Sequence, residues 1–339
     1  MGTQRRPRFA VGLAGTHLVQ LIAAPDALGR LDRLGAAFLA LGTDRVLGEP
    51  GRTTLDPSIA AAALAAGTTT PLLLAAAPQR DHPYNLARRV ASIDHLSAGR
   101  AGVLLAERDT SAPLDAPGRE AWGGARLSGG APLRPETTRD VALVLRALWQ
   151  SFPIDAIVAD RETRVYADAD RIVHIDHHGV FDVAGPLTIP TTPQGSPVLG
   201  WYVRSAAEAA AAEGVAELVV GTADLVSADA GPAVYRPVSV EASPDLGSPE
   251  LDGPHLDGPD LGSPELDGPH LDGGHLLLVA DPATPLDRVI ETARRLVDRG
   301  VVEPSTGRTL RERTGLGAPP VVLEGARAAF ARAAERVAS

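Results

Sequence analysis

The chain has 339 residues, of which 44% are hydrophobic, a net charge of −10 and no cysteine. It is long enough to bury a sizeable core, as one large barrel or as two domains. The missing cysteine excludes disulfides, thiolate metal sites and a thiol nucleophile, and the acidic balance argues against a general nucleic-acid binder, which needs clustered cations.

Lysine is absent as well, which removes Schiff-base chemistry. No uncharged apolar run approaches the roughly 20 residues that span a bilayer, and the short run Phe9–Ala14 is no signal-peptide core. A cytoplasmic protein with no membrane contact is expected. Phe9–Ala14 reads as a first strand instead. Asp26–Leu41 reads as a helix, because Leu28, Leu31, Leu34 and Phe38 fall on one face. Leu41–Leu47 is the expected second strand. Asp56 can cap an alanine-rich helix that Pro57 opens, and Leu72–Ala77 is the third strand.

Pro83 opens the next helix, on which Leu86, Val90 and Ile93 recur at spacings of four and three while Arg88 and Arg89 fall off the stripe. Ser97-Ala98-Gly99-Arg100 stops it, with Gly99 suited to a left-handed C-terminal position. Gly102–Ala106 follows as a buried strand, completing a strand–helix–strand unit. Residues 108–135 are rich in Gly, Pro, Ser and Asp and read as an excursion. Glu136–Phe152 is helical, with Val141, Val144, Leu145 and Leu148 inward. A second excursion over 157–196 precedes a strand at Pro197–Tyr202, a helix at Arg204–Glu213 and strands at Glu217–Gly221 and Ala233–Val240.

Residues 243–274 form a low-complexity block. Ser248–Asp257 recurs as Ser263–Asp272 on a five-residue beat. Proline and glycine on every beat forbid a helix, and the lone leucine gives little to bury, so a disordered or extended coil is expected. His275–Ala280, a helix over Pro285–Arg299 and a last helix over Ala326–Val337 complete the count.

Three stretches of the helix unit, Pro83-Tyr84-Asn85-Leu86-Ala87-Arg88-Arg89, Ser92-Ile93-Asp94-His95-Leu96-Ser97 and Gly99-Arg100-Ala101-Gly102, carry a resemblance. So do Asp160-Arg161-Glu162, Ile175-Asp176-His177-His178-Gly179, Pro193-Gln194-Gly195 and Thr309–Leu316. Together these resemble bacterial luciferase-like flavin monooxygenases, in the branch of nitrilotriacetate and dibenzothiophene-sulfone monooxygenases. The resemblance implies a single (β/α)8 TIM barrel over residues 1–339, with both excursions over it and its outer helices six and seven shortened or replaced by the low-complexity loop. It implies reduced FMN from a separate flavin reductase, dioxygen, a small organic substrate and a homodimer. The active end would lie at the strands' C-terminal ends.

By the same resemblance, Asp44 matches a flavin-contacting acid; a helix-capping or ion-paired aspartate is the plainer reading. Ala75 and Ala77 stand where the family carries hydroxyls, and at the fourth strand Val103, Leu104, Glu107 and Arg108 stand where it carries Trp-Asn and, shortly after, Thr-Ser. At the fifth strand, Ser205 matches a family serine ahead of a helix whose amides would hold the FMN phosphate. Arg204 offers a charged fork to that phosphate, or stays solvated, and Val203 replaces a glycine. No catalytic base stands out: His17, His82 and His95 qualify only by position near strand ends. His174, His177 and His178 with Asp176, and His255, His270 and His275, tempt a metal reading that needs about four converging ligands, but the first set matches a loop that is no metal site in the family and the second sits in a repeat where proline forbids regular geometry. There is no Gly-x-Ser-x-Gly elbow and no strand-linked dinucleotide fingerprint. The lost polar groups leave a second reading, a barrel that has shed its flavin and serves in binding or assembly without catalysis.

Overall fold

The computed structural model describes residues 6–47, 55–78, 82–110, 132–228, 233–240 and 273–330. Eight parallel strands close a barrel: β1 (Phe9–Leu13), β2 (Leu39–Leu41), β3 (Leu72–Ala76), β4 (Ala101–Leu105), β7 (Val198–Tyr202), β8 (Leu218–Val220), β9 (Ala233–Val240) and β10 (His275–Ala280). Two short strands, β5 (His177–His178) and β6 (Asp182–Val183), form an antiparallel hairpin outside it. The barrel order is β1-β2-β3-β4-β7-β8-β9-β10 and back to β1. Gly102 pairs with Val198 and Leu105 with Trp201, so the barrel closes past the whole second excursion. Strands covered on both faces read as unbroken apolar runs, which is why these segments carry almost no polar side chains.

The helices are α1 (Gly15–Ala23), α2 (Pro25–Asp32), α3 (Asp44–Leu47), α4 (Pro57–Leu64), α5 (Pro83–Leu96), α6 (Pro135–Gln150), α7 (Ala206–Ala212), α8 (Leu286–Asp298) and α9 (Leu310–Thr314). Helix α5 forms as its sequence dictates. His82 Nδ1 accepts the Tyr84 N–H at its start, Leu86, Val90 and Ile93 are buried, and Gly99 takes a φ of +86° just past its end. Asp56 caps α4 by accepting from Ser58 N. Trp149 of α6 is buried and donates its indole N–H to Ala87 O of α5 at 3.0 Å. Trp149→Phe keeps the apolar burial and deletes that bond, so urea denaturation should show a loss of about 1 kcal/mol.

One cluster fills the barrel interior, with Ala40, Leu73, Ala75, Leu104, Val220, Tyr235, Leu277 and Leu310 among its members. Two others lie between strands and helices. The interior is closed at the end where the strands begin by α9, whose Leu310 would lie 2.8 Å from a Cβ on Gly102.

Some boundaries differ from expectation. The helix expected over Asp26–Leu41 ends at Asp32, and Leu39–Leu41 is β2. Gly35 causes the break: it takes a φ of +70°, and a Cβ there would meet Pro304 Cβ at 2.7 Å. The expected strand Leu41–Leu47 is instead the end of β2 and the single turn α3. The C-terminal helix expected from Ala326 does not form through Phe330; Ala328 bridges Val173 in extended conformation. The remainder of that prediction, the low-complexity block up to residue 272, and most of the excursion over 108–135 lie outside the described residues. Residues 221–228, where the sixth outer helix was expected to be short or missing, contain no helix. A crevice of about 370 Å³ lies there, lined by Ala209, Ala212, Val219, Leu225 and Val226. No helix among the described residues is long and apolar enough to cross a membrane.

Candidate active site at the strand ends

The mouth of the barrel is built by the loops that follow the strands. After β2, Gly42 takes a φ of +76°, and a Cβ there would sit 2.5 Å from Pro57 Cγ. That turn delivers Thr43 and Asp44. Asp44 is buried, and its Oδ1 accepts the Gly15 N–H at 3.0 Å, tying the end of β2 to the start of α1. Thr43 is fully buried against Gly12, and its hydroxyl has no partner among the described residues. Arg45 makes a two-pronged ion pair with Asp109, with Nη2 to Oδ2 at 2.7 Å and both side chains 4% exposed. Thr110 N donates to Arg45 O. The ends of β2 and β4 are thereby clamped together by a pair with no counterpart in the sequence-based expectation.

At the end of β7, Arg204 and Ser205 do come together at the start of α7. Ser205 caps that helix, accepting the Glu208 N–H at 3.2 Å. Glu208 turns back: its Oε2 accepts the Arg204 N–H at 2.6 Å, and its Oε1 lies 3.4 Å from Arg204 Nη2. Glu208 itself is buried. Glu107 follows β4, and burial followed by the charge of Glu208 raises its pKa. Tyr202 beneath them is buried, which pushes its pKa up to about 12. Arg204 Nε and the Thr222 hydroxyl after β8 are without partners among the described residues.

Glu208 was missed from the sequence, although Ser205-Ala206-Ala207-Glu208 has the spacing of a capping box. Thr309-Leu310-Arg311-Glu312 repeats it: Glu312 N donates to Thr309 Oγ1, and Arg308 N to Glu312 Oε2.

The histidines scatter. His17 is buried at the mouth, accepting from Ala14 N and, through Nε2, lying 2.7 Å from Thr284 O. His82 caps α5, with its pKa lowered by burial. His95 is at the far end of α5, 3.0 Å from Pro190 O, and so lies away from the mouth. His177 pairs with Asp140 at 2.7 Å and His178 with Asp182 at 3.0 Å. His275 accepts from Arg8 N, and burial lowers its pKa to about 4. Among the described residues, no three metal-ligating groups converge; His255 and His270 lie outside them.

No family model matches the chain. Among curated proteins it is 37% identical over 197 residues to one of the subunits of pristinamycin IIA synthase of Streptomyces pristinaespiralis, covering 55% of this chain and 61% of that protein. It is 33% identical over 182 residues to dibenzothiophene-sulfone monooxygenase of Rhodococcus erythropolis, covering 53% of this chain and 38% of that one. The curated proteins it matches are luciferase-like monooxygenases. The chain thus spans less than two thirds of the length of these luciferase-like relatives. The luciferase-like fold is also seen in DmoA from Hyphomicrobium sulfonivorans, with a TM-score of 0.63 and 18% identity, over 93% of each chain. EDTA monooxygenase from Chelativorans sp. BNC1 superposes with a TM-score of 0.61 and 18% identity, over 93% of this chain and 99% of that one.

Proposed function

We propose that the chain is a flavin-dependent monooxygenase that oxidises a small organic substrate with reduced flavin, delivered by a separate reductase, and dioxygen. The observation that carries this reading is its homology to named monooxygenases on a barrel that keeps all eight strands. Reduced flavin, when bound, supplies the activation of dioxygen. The chain's residues bind, orient and shield it.

The ring end of the mouth fits a flavin. Its floor is made of small residues, Gly12, Ala75 and Ala106, and Thr43 brings a buried hydroxyl without a partner among the described residues. Asp44, the next residue, holds the Gly15 amide, and the Thr43 N–H is held by Leu13 O. The phosphate end fits poorly. Ser205 and Arg204, the groups expected there, are engaged by Glu208.

Anaerobic titration with reduced flavin, offered as FMN and as riboflavin, tests the reading. Saturable micromolar binding is expected, and Asp44→Ala should weaken it at least tenfold, about 1.4 kcal/mol. Unchanged binding in that variant removes Asp44 from the site. Absence of binding up to millimolar flavin of either kind overturns the monooxygenase reading. It favours the second one, a non-catalytic barrel, to which the internal pairing of Arg204 and Glu208 also points.

A further inference from the structure

Resting on the flavin reading above, we infer that this barrel selects a flavin without its terminal phosphate, because the buried carboxylate of Glu208 engages the groups that the resemblance assigns to the phosphate.

The Arg204 and Glu208 amides and one arm of the Arg204 guanidinium, at the start of α7, are already engaged by the chain. Arg204 N–H and Nη2 face the two oxygens of Glu208, and the Glu208 amide is held by Ser205 Oγ. Glu208 is 3% exposed, so its charge is poorly screened by water. Glu107 adds a second acidic side chain, whose pKa burial and then the charge of the neighbouring Glu208 raise, and Glu136 acts on it in the same sense. Arg204 is thus paired with one buried carboxylate, and a further acid, Glu107, lies within reach of its charge. A dianion brought here gains one cation already in use and meets carboxylates at close range. What the cluster leaves unpartnered, among the described residues, is the buried Arg204 Nε–H as a donor, with the carboxylate oxygens as acceptors. That set matches a neutral polyol, which donates and accepts hydrogen bonds, and mismatches a phosphate, which only accepts. The arrangement follows from the helix-capping pattern at 205–208, which α9 repeats with Thr309 and Glu312. It is thus a stable feature of the fold, independent of any ligand.

The experiment is a competition titration of the full chain with riboflavin and FMN, oxidised and then reduced, followed by flavin fluorescence and calorimetry. Riboflavin is expected to bind at least tenfold more tightly than FMN, and FMN to gain affinity with added salt as the repulsion is screened. Glu107→Gln, which leaves the α7 cap intact, should narrow the gap at least threefold. Glu208→Gln should narrow it further, with circular dichroism checking that the helix persists. FMN binding as tightly as riboflavin, or a ratio unmoved in folded Glu107→Gln, overturns the inference and leaves the flavin reading in place. Failure of both flavins to bind overturns the two together.

Discussion

Arg311→Ala is expected to lower stability by about 3–5 kcal/mol, because it strands a carboxylate at the closed end of the barrel. Arg311 is 5% exposed, and its guanidinium meets Glu217 twice, at 2.7 and 3.0 Å. It also donates to Ser196 O and Gly317 O. Glu217 stands at the threshold of β8, and Leu310, beside Arg311, packs into the barrel interior. The pair thus fastens α9 against the strands whose interior it plugs. Removing the cation leaves Glu217 without its principal partner and two carbonyls with one donor fewer. Arg311→Lys should recover less than half of the loss, since an ammonium cannot reproduce two parallel bonds and two carbonyl contacts from one plane. Urea denaturation of Arg311→Ala, Glu217→Ala and the double variant measures the coupling. A coupling energy below about 1 kcal/mol would put this pair among ordinary surface ion pairs and refute its role as the fastening.

Much of this end of the barrel was legible before the structure. The strands announced themselves as apolar runs of the right length, and β9 and β10 coincide with their predicted bounds. Helix α5 followed from three apolar positions, a proline and a glycine, all local signals. What failed was a decision between periods. Leu28, Leu31, Leu34 and Phe38 satisfy helical spacing, yet the chain turns at Gly35 and enters a three-residue strand too short to show alternation. Helix α1 went unread because it begins at Gly15 with neither an acidic first turn nor a side-chain cap. In the mouth, Asp44 and Ser205 could be placed from the sequence. The partners that define them, Gly15 N for Asp44 and Glu208 for Arg204, are products of chain reversal. Glu208 was within reach through its capping spacing. Arg45–Asp109 was not, since a pair separated by 64 positions leaves no local trace.

Asp94 should give the chain a pH-dependent stability that Asp94→Asn abolishes. It lies on α5 in the stretch that carries the resemblance, but its work is structural. Its Oδ1 accepts the Ala101 N–H and the Gln194 amide, each at 2.8 Å, joining the end of α5, the start of β4 and the loop before β7. The Thr192 hydroxyl lies beside the other oxygen without meeting hydrogen-bond geometry. The site is fully buried, and desolvation outweighs these donors, raising the pKa from 3.8 to about 6. The folded chain therefore prefers the protonated acid. Below pH 3.8, where folded and unfolded chains both hold the proton, the contribution is fully present. It is lost as pH rises through about 6, by about 3 kcal/mol. An asparagine in its place would keep the acceptor and carry no charge. The stability of Asp94→Asn relative to the native chain should therefore climb between pH 4 and pH 7.5 by that amount, other titrating groups cancelling in the difference. Asp94→Ala, which leaves the Ala101 amide unsatisfied, should be destabilised by about 2–4 kcal/mol at pH 4. Parallel pH profiles for the native chain and Asp94→Asn, read from urea midpoints, would show that the carboxylate is held ionised by its donors and that burial does not dominate.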